Sequence, residues 1–180
     1  MLGSENELNI IALKKGKPTM RCLIAYYSLT GTTRKLAERA SKEIGADLAE
    51  VRAQRYRPGF FVFIRGSSDS WKGRLPAIEV NGPAPDNYDL VLTMAPVWAG
   101  HASPPIRSYL AQNRDKFKKA AFVLTCGNRC GPAAFEEMTE LSGATPEISL
   151  LLREREIKSS NYMPPQLASF LNGLKLREAA

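Results

Sequence analysis

Histidine occurs once and cysteine three times in this chain of 180 residues. No set of His, Cys and carboxylate residues at metal-ligand spacing accompanies them, so no metal centre is expected. Cys22, Cys126 and Cys130 form an odd set with no secretory context, which argues against a structural disulfide framework. Long hydrophobic runs are missing too. Phe60 to Ile64 is among the longest strictly apolar stretches, far short of the ~20 residues that a membrane span requires. The first residues do not have the basic-then-apolar layout of a signal peptide, so the expected location is the cytoplasm. No internal repeat or low-complexity tract interrupts the chain.

Two nucleotide-binding signatures are also absent. No G-x-x-x-x-G-K-[ST] occurs, and Gly31 has no glycine partners for a G-x-G-x-x-G fingerprint. The net charge of +7 raises nucleic acid, an anionic membrane or an acidic protein as partners. The cations are scattered, however. Lys14, Lys15 and Lys17 cluster, as do Arg52, Arg55 and Arg57, and Lys116, Lys118 and Lys119. None of these makes a long helical stripe interleaved with aromatics, so no nucleic-acid partner is expected and most of the charge reads as solvated surface.

What is present is an ordinary globular composition, 44% hydrophobic and 24% charged, enough for one domain with a core. Residues 1–19 carry one apolar patch and a Lys/Gly/Pro segment and read as an N-terminal extension; residues 20–180 read as the domain. Arg21 to Tyr27 is a nearly continuous apolar run, as in a strand buried on both faces of a parallel sheet. Thr33 to Ile44 places Leu36, Ala37, Ala40 and Ile44 on one helical face, and Gly45 is positioned to end it. Asp47 to Val51 fits a short strand. From Arg52 to Pro85, Pro58, Gly59, Gly66, Gly73 and Pro76 punctuate aromatic and basic residues, and the pattern allows a helix from about Gly59 to Trp71. Further strands are expected over Tyr88 to Pro96, Lys119 to Cys126 and Glu147 to Ile157. Further helices are expected after the Ser103-Pro104-Pro105 start, over Ala133 to Leu141, and over Pro164 to Lys175. Five strands alternating with helices define an α/β protein whose parallel sheet is covered on both faces.

Ligands of such sheets bind at the carboxyl ends of the strands. Three loops there hold unusual residues. Ser28, Thr30, Thr32 and Thr33 put four hydroxyls around Gly31 where a strand turns into a helix. One cap needs one hydroxyl, so this set points to an anion, most simply a phosphate, on the unpaired amides of a helix start. Pro96-Val97-Trp98-Ala99-Gly100-His101 presents an indole for stacking beside a glycine that lets a ligand approach the backbone. His101 is either an exposed loop residue or a proton donor at a ligand edge. Thr125-Cys126-Gly127-Asn128 follows the next strand. Cys126 and Cys130 can form a redox pair, but the simpler reading is two ordinary thiols. Phosphatase chemistry of the C-x5-R type is excluded, because Pro132 stands where the arginine belongs.

A phosphate loop beside an aromatic platform suggests a phosphorylated, planar cofactor, and here the residues resemble a family. Ser28-Leu29-Thr30-Gly31-Thr32-Thr33 resembles the phosphate loop of the flavodoxins. Pro96 to Gly100 with Ser103-Pro104-Pro105 resembles the flavin-ring loop of the short-chain, flavodoxin-like FMN-binding proteins, and Thr125-Cys126-Gly127 is similar to their third flavin loop. The closing stretch from Ile157 to Tyr162 and on to Phe170 is similar as well. The resemblance covers about residues 20–176. It implies a flavodoxin-like three-layer α/β/α sandwich with a five-stranded parallel sheet in the order 2-1-3-4-5, binding FMN. It also implies that Ser28, Thr30, Gly31, Thr32 and Thr33 hold the phosphate and that Trp98 stacks on the isoalloxazine. Ala99 and Gly100, with Thr125 to Asn128, would edge the ring.

The departures bear on function. The family's low-potential carriers are typically acidic, whereas this chain is basic and His101 follows Gly100. Charges a few ångströms apart interact by about 1 kcal/mol or more near a surface, so the expected potential is higher than that of an acidic carrier. The functional expectation is electron transfer through bound FMN, with a redox partner protein or a small acceptor such as a quinone. The chain would be either an enzyme taking electrons from NAD(P)H or a carrier. The rival reading is a flavodoxin-like binding module that has lost FMN and redox activity.

Overall fold

The computed structural model describes residues 20–56, 59, 61–127, 132–159 and 162–179. The expected N-terminal extension, Asn128 and Cys130 lie outside the described residues. In chain order the elements are β1 (Cys22–Tyr26), α1 (Thr32–Ile44), β2 (Asp47–Arg52), α2 (Val62–Trp71), β3 (Glu79–Asn81), β4 (Leu90–Trp98), β5 (His101–Ala102), α3 (Pro104–Gln112), β6 (Ala120–Cys126), α4 (Ala133–Ser142), β7 (Pro146–Arg153), α5 (Glu154–Ser159) and α6 (Pro165–Ala179).

The parallel strands run β2-β1-β4-β6-β7, which is the expected 2-1-3-4-5 order. Two short antiparallel strands bring the sheet to seven, where the sequence suggested five. β3 borders β2 through the pairs Glu50–Asn81, Val51–Val80 and Arg52–Glu79. It is three exposed residues long, which keeps the sheet edge short and carries little periodic signal. β5 folds back on β4 through Ala99 and Gly100, whose φ values of +51° and +87° are those of a hairpin turn twisted to match its strands.

Every residue of β1 is buried, and its side chains alternate between two cores. Leu23 and Ala25 face a layer containing Val62 of α2, Ile106, Tyr109 and Leu110 of α3, and Met138 of α4. Cys22, Ile24 and Tyr26 face Leu36, Ala37 and Ala40 of α1 and Leu167, Phe170 and Leu171 of α6. The result is a three-layer sandwich with the strand carboxyl ends on one edge.

The last strand stops at Arg153, not Ile157. Glu154 to Lys158 are good helix formers, and the Arg153 amide donates to Glu156 Oε2 at 2.8 Å across the junction, so the chain turns into α5. α3 begins at Ser103 as expected, but the Ser103 Oγ caps nothing and is buried without a hydrogen-bond partner. Pro104 and Pro105 have no N–H to offer it, and the Ile106 amide is taken by the Ser103 carbonyl at 3.0 Å.

The segment between β2 and β3 folds around Asp69. This carboxylate is 3% exposed and accepts from Arg55 Nε at 2.6 Å and from the Tyr56 hydroxyl at 2.9 Å, with Arg74 Nε at 3.2 Å. The Arg55 guanidinium, against the cost of burial and with help from Tyr56 and Arg74, holds Asp69 below the usual carboxylate range. A second tie runs through Arg107, whose Nη1 donates to the Ser70 carbonyl at 2.9 Å and whose Nη2 reaches Glu137 Oε1 at 2.7 Å. Together they fix α2 beside the carboxyl ends of the strands. Among the described residues, no helix is long and apolar enough to cross a membrane.

Candidate functional site

The three loops converge. Ser28, Thr30, Thr32 and Thr33 from the β1–α1 turn, Pro96, Val97, Trp98 and Ala99 from the end of β4, and Thr125, Cys126 and Gly127 from the end of β6 line one cavity of about 260 Å³. Gly31 sits within the first of these stretches. Asn128 lies outside the described residues, and Gly100 and His101 do not line the cavity.

At the first loop, α1 starts from Gly31 with φ +91° and no side chain caps it. Only glycine adopts that conformation without strain. The Ser28 hydroxyl accepts from the Gly31 amide at 3.1 Å, and the Thr30 and Thr32 hydroxyls lie 3.4 Å apart. The hydroxyl cluster therefore orders the turn while leaving the amides at the helix start uncapped. No acidic residue occupies the first turn to offset the dipole. Arg34, the cation nearest the helix start, is held by Glu50 of β2, and Arg52 Nη2 approaches the same carboxylate at 2.6 Å. Burial would raise the Glu50 pKa, but Arg52 and Arg34 outweigh it and keep the group low.

Thr33 is buried, and its hydroxyl meets that of Thr125 at 3.1 Å, which ties the first loop to the third. Trp98 lines the cavity and is partly buried within the side chains around it. Its ring is met edge-on by Tyr27 (centroids 5.6 Å apart, 83°) and by Tyr56 (5.3 Å, 76°). Gly66 of α2 packs against the indole so closely that an added Cβ would fall 2.7 Å from Cε3. The Tyr27 hydroxyl is buried with no hydrogen-bond partner, and burial pushes its pKa up.

Gly100 has a conformational reason of its own. A Cβ there would meet no protein atom within 4 Å, and the positive φ of the β4–β5 turn itself favours glycine. His101 pairs backbone to backbone with Trp98, and its Nδ1 lies 3.6 Å from Glu137 Oε1. Glu137 also accepts from the Ala102 amide at 3.3 Å and pairs with Arg107, so His101 belongs to a network that holds the hairpin. Cys126 is buried and disulfide-bonded, which corrects the reading of it as an ordinary thiol.

Four cavity residues escaped the sequence reading: Leu29, Phe63, Ser67 and Glu154. Leu29 lies inside the first loop. Phe63 and Ser67 come from α2, whose pattern is broken by glycine, and Glu154 comes from α5, which read as a continued strand.

No protein-family model and no curated protein matches the chain. Solved structures do. A flavoprotein from Lactobacillus acidophilus NCFM, solved in complex with FMN, is 27% identical with a TM-score of 0.65, over 73% of this chain and 93% of that one. The apo-form of the flavoprotein from that organism, solved by NMR, is 26% identical with a TM-score of 0.58, over 78% and 96% of the two chains. A protein from Bacteroides eggerthii DSM 20697 shares the fold at 18% identity, with a TM-score of 0.66, over 89% and 99%. The chain is thus a flavodoxin-like α/β protein, with the strand order of that fold, and is similar to flavoproteins of known structure.

Proposed function

We propose that this chain binds FMN at the cavity between the three loops and serves as a redox flavoprotein. The observation that carries the reading is the α1 start: it is uncapped, has no acidic residue in its first turn, and shares one cavity with Trp98 and the Thr125–Gly127 strand end. This donor set fits a phosphate monoester. The uncapped amides after Gly31 and the hydroxyls of Thr30 and Thr32 supply donors, and the dipole favours the negative charge. Trp98, Ala99 and Gly127 would border the ring, with Phe63 at the mouth. When bound, FMN supplies one- and two-electron transfer, and the polypeptide supplies position and potential.

The test is reconstitution. Protein incubated with FMN and desalted is expected to retain flavin absorbance in a one-to-one ratio, and Thr30→Val with Thr32→Val is expected to lose it. A protein that stays colourless at all FMN concentrations supports the rival, a binding module without FMN. The similarity to a flavoprotein solved with FMN supports the reading independently of the site. Steady-state NAD(P)H oxidation with a quinone acceptor would mark an enzyme. Reduction only through a partner reductase would mark a carrier. The basic balance of the chain supports a potential above that of acidic carriers, which spectroelectrochemistry reads directly.

A further inference from the structure

We propose that the outer face of α2 seats the protein on an anionic lipid surface, with the cavity mouth beside the contact. Phe61, Phe63, Ile64 and Trp71 are large apolar side chains left 66%, 60%, 67% and 74% exposed on and just before this ten-residue helix. At 100° per residue, Ile64 and Trp71 share one outward stripe, Phe61 lies next to it, and Phe63 stands on the side that lines the cavity. Val62, Gly66, Asp69 and Ser70 are the buried side.

Charge selects the occupant. Arg65 and Lys72 lie on the exposed face and have no ion-pair partner among the described residues. Arg55 and Arg74 flank the same surface depression, which Phe61 and Ile64 also line. Asp69, the helix's one acid, is buried between Arg55 and Arg74 and offsets one of those two charges, which leaves Arg65 and Lys72 as the outer cations of the face. Protruding aromatic rings bordered by Arg and Lys on a short helix suit an interfacial helix on anionic lipid, where rings enter the headgroup boundary and cations meet phosphates. An acidic protein would satisfy the cations, but its charged groups would leave the exposed Phe61, Ile64 and Trp71 side chains without an apolar environment, which the headgroup boundary supplies. The aromatic interleaving of the basic residues in this region becomes visible only once the exposure of the helix is known. The proposal does not depend on bound FMN.

The experiment is co-sedimentation of the full chain with vesicles of phosphatidylcholine alone or of phosphatidylcholine and phosphatidylglycerol at three to one. Binding to the anionic vesicles is expected to exceed that to neutral ones by at least tenfold. A blue shift of tryptophan emission is expected, and Trp71→Phe should abolish it. Each cation near the surface strengthens binding about fivefold, so Arg65→Glu with Lys72→Glu should weaken it more than tenfold, and Phe61→Ser with Ile64→Ser should do the same. Lys116→Glu with Lys118→Glu changes net charge equally on another surface and should change binding little. Thermal melts check that each variant is folded. Absence of anionic-vesicle binding overturns the proposal. So does an equal loss from the Lys116 and Lys118 control, or retention by the Phe61 and Ile64 variant. Binding to a polyglutamate chain without vesicle binding assigns the face to an acidic protein and also overturns it.

Discussion

The hydroxyls of Thr33 and Thr125, 92 positions apart in sequence, meet at 3.1 Å in a buried contact. Among the described residues it is the one side-chain hydrogen bond between the helix start of the first loop and the strand end of the third. Thr125→Val removes one partner and leaves the Thr33 hydroxyl buried and unpaired, at a cost of about 1–3 kcal/mol. Thermal unfolding should report a fall of roughly 2–4 °C for each kcal/mol lost. Replacing both residues by valine removes the orphan as well. The double variant should therefore be less destabilised than the two single costs combined, and strict additivity would show that the hydroxyls do not interact.

Gly66 backs Trp98, which lines the cavity. Gly66→Ala gains up to ~1 kcal/mol of helix propensity. It also drives a Cβ to 2.7 Å from the indole. The ring cannot retreat freely, since Tyr27 and Tyr56 meet it edge-on. Overpacking of this kind costs about 1–3 kcal/mol, so the net effect is destabilising, and the near-UV circular dichroism of Trp98 should change. A variant as stable as the parent, with an unchanged aromatic spectrum, would mean that α2 shifts away from the sheet instead.

The strands and helices that bury a continuous face were legible from residue periodicity. β1 and β6 are apolar on both sides, and Leu36, Ala37 and Ala40 repeat at helical spacing. The hydroxyl-rich turn was legible because strand, glycine and helix follow one another within a few residues. The helix expected from about Gly59 to Trp71 is present as α2, Val62–Trp71, but what positions it stayed hidden because it is held by contacts distant in sequence. α2 has a buried side made of Val62, Gly66, Asp69 and Ser70, a set with little hydrophobic periodicity, and it is fixed by Arg55, Arg74 and Arg107 from three other segments. The same distance effect explains His101. Its neighbour Glu137 lies on α4, and nothing local to Trp98 or Gly100 signals that pairing.

Asp69 should make the protein acid-sensitive in a defined window. Its folded pKa is depressed, chiefly by Arg55. The stability it contributes is therefore present above its unfolded pKa of about 3.9 and is lost as pH falls through the lower folded value. Asp69→Asn should lower stability at neutral pH and flatten the acid limb below about pH 4. A parallel downward shift of the whole stability curve, with the acid limb unchanged, would separate the fold's need for Asp69 from its ionisation.

Tyr56 gives the opposite limb. Burial first, and then its hydrogen bond to Asp69, push its pKa up to about 12. A raised folded pKa means that the neutral phenol stabilises the fold fully below the unfolded value near 10. That contribution declines as pH rises through the folded pKa of about 12. Tyr56→Phe should remove this part of the alkaline decline while costing some stability at pH 7, because the Asp69 bond at 2.9 Å is lost. Equilibrium unfolding at several pH values between 8 and 12 distinguishes the two effects.

The uncapped start of α1 leads to a preference among flavins. Riboflavin and FMN share the ring that Trp98 and Ala99 would border, so any difference in their affinity isolates the first loop. A phosphate there replaces water with charge-assisted hydrogen bonds from amides, which are stronger than neutral ones. The Gly31 turn, already ordered through the Ser28 hydroxyl, reduces the entropy spent on binding. FMN should therefore bind at least about tenfold more tightly than riboflavin, a difference of ~1.4 kcal/mol. Inorganic phosphate should compete with FMN but only weakly with riboflavin. Gly31→Ala should narrow the gap, because an alanine at φ +91° costs about 1–2 kcal/mol and reshapes the turn. Flavin fluorescence quenching measures all four constants. Equal affinities for the two flavins would place the phosphate away from α1 and leave the hydroxyls of Ser28, Thr30 and Thr32 as turn-forming groups.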